Sequence, residues 1–219
     1  MGTENMFTAF FDYPELATQA LNNYASDYIE FLRAIEANNM LHPTTGAQTL
    51  IMGSKSFTND LPGSGKITSR DVWGHLNSQE STGLSPAMFN DIVAPSYNRL
   101  AAEFGLVSYG CCEPVHDIWD CCLSKWDNLR KVSIAPWCDE ELMGERLRGT
   151  KIIYHRKPTP NLLGVGTVLD EEAVRQNIRA TMKAAKGCII EITQRDVYTI
   201  NHDEAKLKRY VEIIREESC

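Results

Sequence analysis

Residues 106–117 read Leu-Val-Ser-Tyr-Gly-Cys-Cys-Glu-Pro-Val-His-Asp, and this stretch decides the fold. Leu106–Tyr109 has the apolar, β-prone character of a short buried strand. Gly110 lets the backbone turn, and Pro114 stops the strand from continuing. Two thiols, two carboxylates and an imidazole therefore collect where a core strand ends. In parallel α/β folds that edge is where ligands bind and chemistry happens.

Working outward, four more segments read as strands: Val72–Leu76, Lys131–Ile134, Lys151–His155 and Cys188–Thr193. Helical patterns separate them. Leu16, Ala20, Tyr24, Tyr28, Phe31 and Ile35 share one helical face after Pro14. Ser85-Pro86 caps a second helix with Phe89, Ile92, Val93, Leu100 and Phe104 as its stripe. A third is expected after His116-Asp117, carrying Ile118, Trp119, Cys122 and Trp126. Asp139-Glu140 opens a fourth through Leu147. Asp170 caps a fifth with Val174, Ile178, Met182 and Ala185 inward. Asp203 starts the last, with Leu207, Tyr210, Val211 and Ile214 inward. Strands alternating with helices imply a parallel sheet with right-handed crossovers. Each strand delivers polar residues to its end, which favours a (β/α) barrel over an open sheet with one switch point. Residues 41–67 form the one long irregular stretch, expected as either a substrate lid or a flexible excursion. Pro62-Gly-Ser-Gly-Lys66 lacks the spacing and the preceding strand of a phosphate loop.

The chain has 219 residues, enough for one domain with a real core. Its net charge of −7 argues against nucleic acid or an anionic membrane as partner. No apolar run reaches the length of a membrane span, and the acidic start does not read as a signal peptide. Seven cysteines, with vicinal pairs at Cys111-Cys112 and Cys121-Cys122, make a poor disulfide framework. A reducing cytoplasmic setting is expected.

Five segments carry a resemblance: Ser78-Gln79-Glu80…Leu84-Ser85-Pro86, Tyr109–Pro114, Ser133-Ile134-Ala135-Pro136-Trp137, Tyr154–Pro158 and Gly187–Glu191 with Asp196. Together they resemble the uroporphyrinogen decarboxylase superfamily, in its uncharacterised, methyltransferase-like branch of anaerobic bacteria. The similarity runs from about Phe7 to Glu217. Members of that superfamily are complete eight-stranded barrels. The resemblance therefore implies a single α/β domain over 1–219, the C-terminal portion of a TIM-type (β/α)8 barrel. About five parallel strands alternate with helices, and the first three βα units are missing. An open barrel exposes two sheet edges, so a truncated gene product, a rearranged sheet or cover by another subunit is expected. A homo-oligomer suits the last.

The resemblance implies zinc-dependent methyl transfer between a small methylated compound and a corrinoid protein, or metal-free decarboxylase-like chemistry. A non-catalytic barrel remnant that assembles with a partner is the third reading. The methyltransferases resembled place a His-x-Cys pair after the corresponding strand and a Cys after the last one. Here those places hold Tyr109-Gly110-Cys111 and Asp196. Cys111 and His116 are accordingly the candidate metal ligands, since zinc accepts sulfur, nitrogen and oxygen. Glu113 and Asp196 are the candidate catalytic carboxylates. Gln79, Glu80, Trp137, Arg156 and Lys157 are the candidate substrate-binding residues, Arg156 through its planar fork. Bland alternatives stand beside them: Cys111-Cys112 as small buried hydrophobes, His116 as a helix cap, Gln79 and Glu80 as helix-entry hydrogen bonders, Trp137 as core packing, Arg156 and Lys157 in salt bridges, and Asp196 paired with Arg195.

Overall fold

The computed structural model describes residues 2–44 and 58–218. The middle of the 41–67 stretch thus lies outside the described residues. Two helices, α1 (Thr3–Asp12) and α2 (Pro14–Ala37), precede the first strand, β1 (Trp73–Leu76). Next come α3 (Pro86–Met88), a π-helical stretch Phe89–Val93, and α4 (Ala94–Ala101). β2 (Leu106–Tyr109) and β3 (Leu129–Ile134) follow. The chain continues through α5 (Glu140–Leu147), β4 (Ile153–Arg156), α6 (Asn161–Gly164), α7 (Glu171–Ala184), β5 (Ile189–Ile192) and α8 (Glu204–Glu217). The fold is α/β, with a five-stranded parallel sheet in the sequential order β1-β2-β3-β4-β5. A sequential order has no switch point and is the arrangement of a partial (β/α) barrel.

All five expected strands form, within two residues of their expected ends. The fold divides into two compact units, Met1–Val132 and Ser133–Cys219, with the division inside β3.

In the first unit the strand register pairs Trp73 with Leu106, His75 with Ser108 and Ser108 with Lys131. Alternation puts these residues on one sheet face. Gly74, Val107, Tyr109 and Val132 take the other face. A Cβ on Gly74 would lie 2.3 Å from the Phe104 ring, so only glycine lets that aromatic approach the strand. Tyr109 is fully buried, edge-on to Trp126 at 5.6 Å and to Tyr97 at 6.3 Å. Phe89, Ile92, Val93, Leu100 and Phe104 are buried as their spacing requires.

Three local expectations change in this unit. Helix α1 was not legible from the pattern. The helix expected after His116-Asp117 is two 3₁₀ turns, Val115–Ile118 and Leu123–Lys125. Side chains there bind elsewhere: the Trp126 indole N–H donates to Asn98 Oδ1 at 2.7 Å, and the Asn128 amide donates to the carbonyls of Ala101 and Phe104. These tertiary bonds outweigh local helical preference. In α2 the buried residues are Ala25 and Leu32, whereas Leu16, Ala20, Tyr24, Tyr28 and Phe31 face outward.

In the second unit, Leu163, Val174, Ile178, Tyr210 and Ile213 form the core, with Met182, Ile192 and Ile214 packed against it. On α8 Lys206, Tyr210 and Ile213 are buried and Ile214 packs against the core as expected, while Leu207 and Val211 are exposed. The α7–α8 pair carries an ion lattice: Arg175 and Arg179 reach Glu217, Arg175 also reaches Glu216, and Arg209 reaches Glu171.

Candidate functional site

Glu113 is the most committed residue of the Cys111–Asp117 segment. Its buried carboxylate accepts the backbone N–H of Ser78 at 2.8 Å through Oε1. Oε2 accepts those of Cys111 at 2.8 Å and Cys112 at 3.0 Å. Gly110, at φ 97, turns the chain so that these amides converge, and its own N–H donates to Leu76 O. The carboxylate thereby ties the end of β1 to the end of β2. Such bonds to an ionised acceptor are strong and hold the loops in place.

The candidate metal ligands Cys111 and His116 both lie on the segment between β2 and β3. Cys111 and Cys112 are half-buried, and His116 Nε2 lies 3.5 Å from Asp117 Oδ1 in the next turn. Among the described residues no three His, Cys, Asp or Glu side chains are grouped to hold a metal ion. Gln79 and Glu80 sit exposed in a 3₁₀ turn, Gln79–Ser81, at the end of β1.

Trp137, Arg156, Lys157 and Asp196 belong to the second unit. Arg156 is buried and holds Glu140 at 2.6 Å. It also donates to Thr181 Oγ1 and to the carbonyls of Ile134 and Ala135. Glu140 in turn accepts from Thr181 Oγ1 at 2.7 Å and from the Tyr154 hydroxyl at 3.2 Å. Burial, with the negative charge of Glu140 next, holds the Tyr154 phenol far above its usual range. Arg156 is thus an internal tie between β4, α5 and α7. Lys157 is buried at the strand's end, with its N–H donating to Ile134 O. Trp137 is largely exposed. Asp196 is exposed in a left-handed backbone conformation and pairs with Arg195 at 2.9 Å. That is its bland alternative.

A different constellation lies within the strands themselves. His75, Ser108 and Lys131 stand side by side in register on the face of β1, β2 and β3 opposite Tyr109. Ser108 and Lys131 are each at most 2% exposed. A parallel sheet covered on both faces ordinarily carries apolar residues in such places. An ammonium there costs several kcal/mol of desolvation unless neighbours compensate it. His75 also lines a cleft of about 250 Å³ with Asn77, Tyr24, Tyr28, Ser96 and Tyr97. Asn77 Nδ2 lies 3.5 Å from His75 Nε2, and Asn77 O accepts the Tyr97 hydroxyl at 2.6 Å. In the second unit β4 and β5 repeat the theme: buried His155 opposes Glu191 in register and its Nε2 is 2.8 Å from Thr193 Oγ1.

The strand-end reading missed these residues. Their signal was present: His75 and Ser108 each interrupt a short apolar strand, and Lys131 falls inside β3.

No protein-family model matches the chain, and neither a curated protein nor a solved structure matches it.

Proposed function

We propose that this chain is an enzyme of partial (β/α)-barrel type. It binds a small carboxylate-bearing molecule and performs acid–base chemistry on it without a resident metal, in the manner of the metal-free branch of the decarboxylase superfamily it resembles. The row His75–Ser108–Lys131, in register across three strands, carries this reading. Behind His75, the buried Ser108 hydroxyl and Lys131 ammonium make the sheet interior polar beside the cleft. His75 belongs both to the row and to the cleft, which supports it as the group that hands a proton to substrate carbon or oxygen. In a decarboxylation the C–C bond breaks, its electron pair stays on the substrate carbon, CO2 leaves, and the imidazolium proton quenches the carbanion. At about 250 Å³ the cleft falls just below the roughly 300–1,000 Å³ of most ligand pockets, which limits it to a small acid.

Calorimetric titration with mono- to tetracarboxylates at neutral pH tests the proposal. Saturable binding is expected, weakened at least about tenfold (~1.4 kcal/mol) in Lys131→Met and in His75→Gln. Circular dichroism checks that both variants fold. Absence of binding to every acid, or binding unchanged in both folded variants, overturns it. Near-stoichiometric zinc in anaerobically purified protein, lost in Cys111→Ser, would overturn it in favour of corrinoid-linked methyl transfer.

A further inference from the structure

Tyr24 and Tyr28 are four residues apart, so α2 carries both rings on one face, and both line the cleft that holds His75. Their centroids are 6.5 Å apart and their planes 30° from parallel, so the two ring faces look in nearly the same direction. Solvent still reaches them: Tyr24 is 64% exposed and Tyr28 38%. Tyr97 of α4 lines the same cleft. Its hydroxyl donates to Asn77 O at 2.6 Å and its ring meets those of Phe89 and Tyr109, which fixes it in place. Leu21, Leu76 and Leu100 supply further apolar surface. None of the described residues lining the cleft is an aspartate, glutamate, lysine or arginine. Charge on a ligand is therefore met at one end, where His75 and Asn77 stand 3.5 Å apart, and the rest of the ligand faces phenol rings and leucines.

We propose that the molecule this cleft takes is a single-ring aromatic monocarboxylate, an assignment that rests on the cleft being an acid-binding site. Its ring lies against the Tyr24 and Tyr28 faces and its carboxylate meets His75 and Asn77.

Size and charge select this class. A cavity of about 150 Å³ takes a benzene ring. At about 250 Å³ the cleft holds one ring, its carboxylate and a small substituent, and it excludes a tetrapyrrole. A second carboxylate would lie against leucine or a phenol ring with no cation to meet it. A quaternary ammonium would find ring faces but no carboxylate to balance it. Ring-on-ring contact adds about threefold to tenfold in affinity beyond what buried area gives.

Calorimetric titration of the full chain with benzoate and with cyclohexanecarboxylate is the test. The two share charge and ring size and differ in flatness. The saturated ring has more apolar surface, so a preference for benzoate cannot come from burial alone. Benzoate is expected to bind at least about threefold tighter. Tyr24→Leu and Tyr28→Leu keep an apolar side chain of good helix propensity and remove a ring face, so each should shrink that preference. Circular dichroism checks that both variants fold. Equal binding of the two acids, or a preference retained in both folded variants, overturns the proposal and leaves acid binding standing. Binding of neither acid overturns the acid-binding reading with it. Tetramethylammonium bound more tightly than benzoate would overturn both in favour of a cation site.

Discussion

Glu113 and Tyr109 are four residues apart and make opposite demands. The Glu113 carboxylate is matched to three amide donors. In Glu113→Gln one oxygen becomes an NH2 that points a donor at a donor, so a loss of about 2–3 kcal/mol is expected. Urea titration reads it as a lower midpoint at unchanged slope. A loss under about 0.5 kcal/mol would mean the three amides do not depend on the charge. The Tyr109 hydroxyl is buried and has no hydrogen-bond partner among the described residues. Burial first, and the nearby Glu113 charge second, push its pKa well up, so it stays a neutral phenol. Tyr109→Phe removes an unsatisfied group and is expected to be neutral or stabilising by up to about 1 kcal/mol. A clear destabilisation in the same assay would show that the hydroxyl has a bonding partner. Neither role was legible in residues 106–117. The sequence placed a carboxylate and a phenol near a strand end, but only the convergence of Ser78, Cys111 and Cys112 amides separates an anchor from an acid catalyst.

At the scale of elements, carboxylates fasten the segments that flank the strands. Glu36, at the end of α2, accepts the Ser69 N–H and an Arg33 N–H. Asp71 accepts the N–H and hydroxyl of Thr68, closing a capping box before β1. Both carboxyls are held below their ordinary pKa, Glu36 chiefly by the Ser69 amide and Asp71 chiefly by the Thr68 hydroxyl. A depressed folded pKa stabilises the fold above the unfolded value and loses that contribution as pH falls toward the folded value. Stability should therefore be level near neutrality and decline below the unfolded values of 4.5 and 3.8. Asp71→Asn should flatten part of that acid limb in melts taken between neutral and acid pH. An acid limb identical in the variant would remove Asp71 from it. The Arg156–Glu140 tie joins elements more deeply. Glu140→Ala leaves a buried guanidinium without its counter-charge, for an expected loss of about 3–5 kcal/mol by urea unfolding. A loss of under about 1 kcal/mol would return Arg156 to candidacy as a ligand-binding cation. Elements with strong local signals were readable: Ser85, Asp139, Asp170 and Asp203 each cap the helix expected of them. The segment at 117–126 was not, because its outcome rests on Asn98, Ala101 and Phe104, partners that periodicity does not see.

Across the whole molecule, burial is uneven in a way that the sheet order explains. β2 lies inside the sheet and all four of its residues are buried. β5 is a terminal strand, none of its residues is fully buried, and Ile189 is 51% exposed. The alternation of apolar segments showed that strands exist but not which would be edges, since edge status depends on neighbours and not on composition. The same blindness hid the apolar face of α2, whose stripe reads as core in a helical wheel and is surface in the fold. Amide protection follows how far a segment must open to meet water. Hydrogen exchange should rank β2 most protected, approaching the protection of global unfolding, and β5 least protected of the five strands. Exchange of β5 should accelerate in mild urea before that of β2 changes, since local opening of an edge exposes little surface. Equal protection of β2 and β5 would mean that β5 has a covering the isolated chain does not supply, such as a neighbouring copy or a further sheet segment. That covering would have to bind at β5 itself.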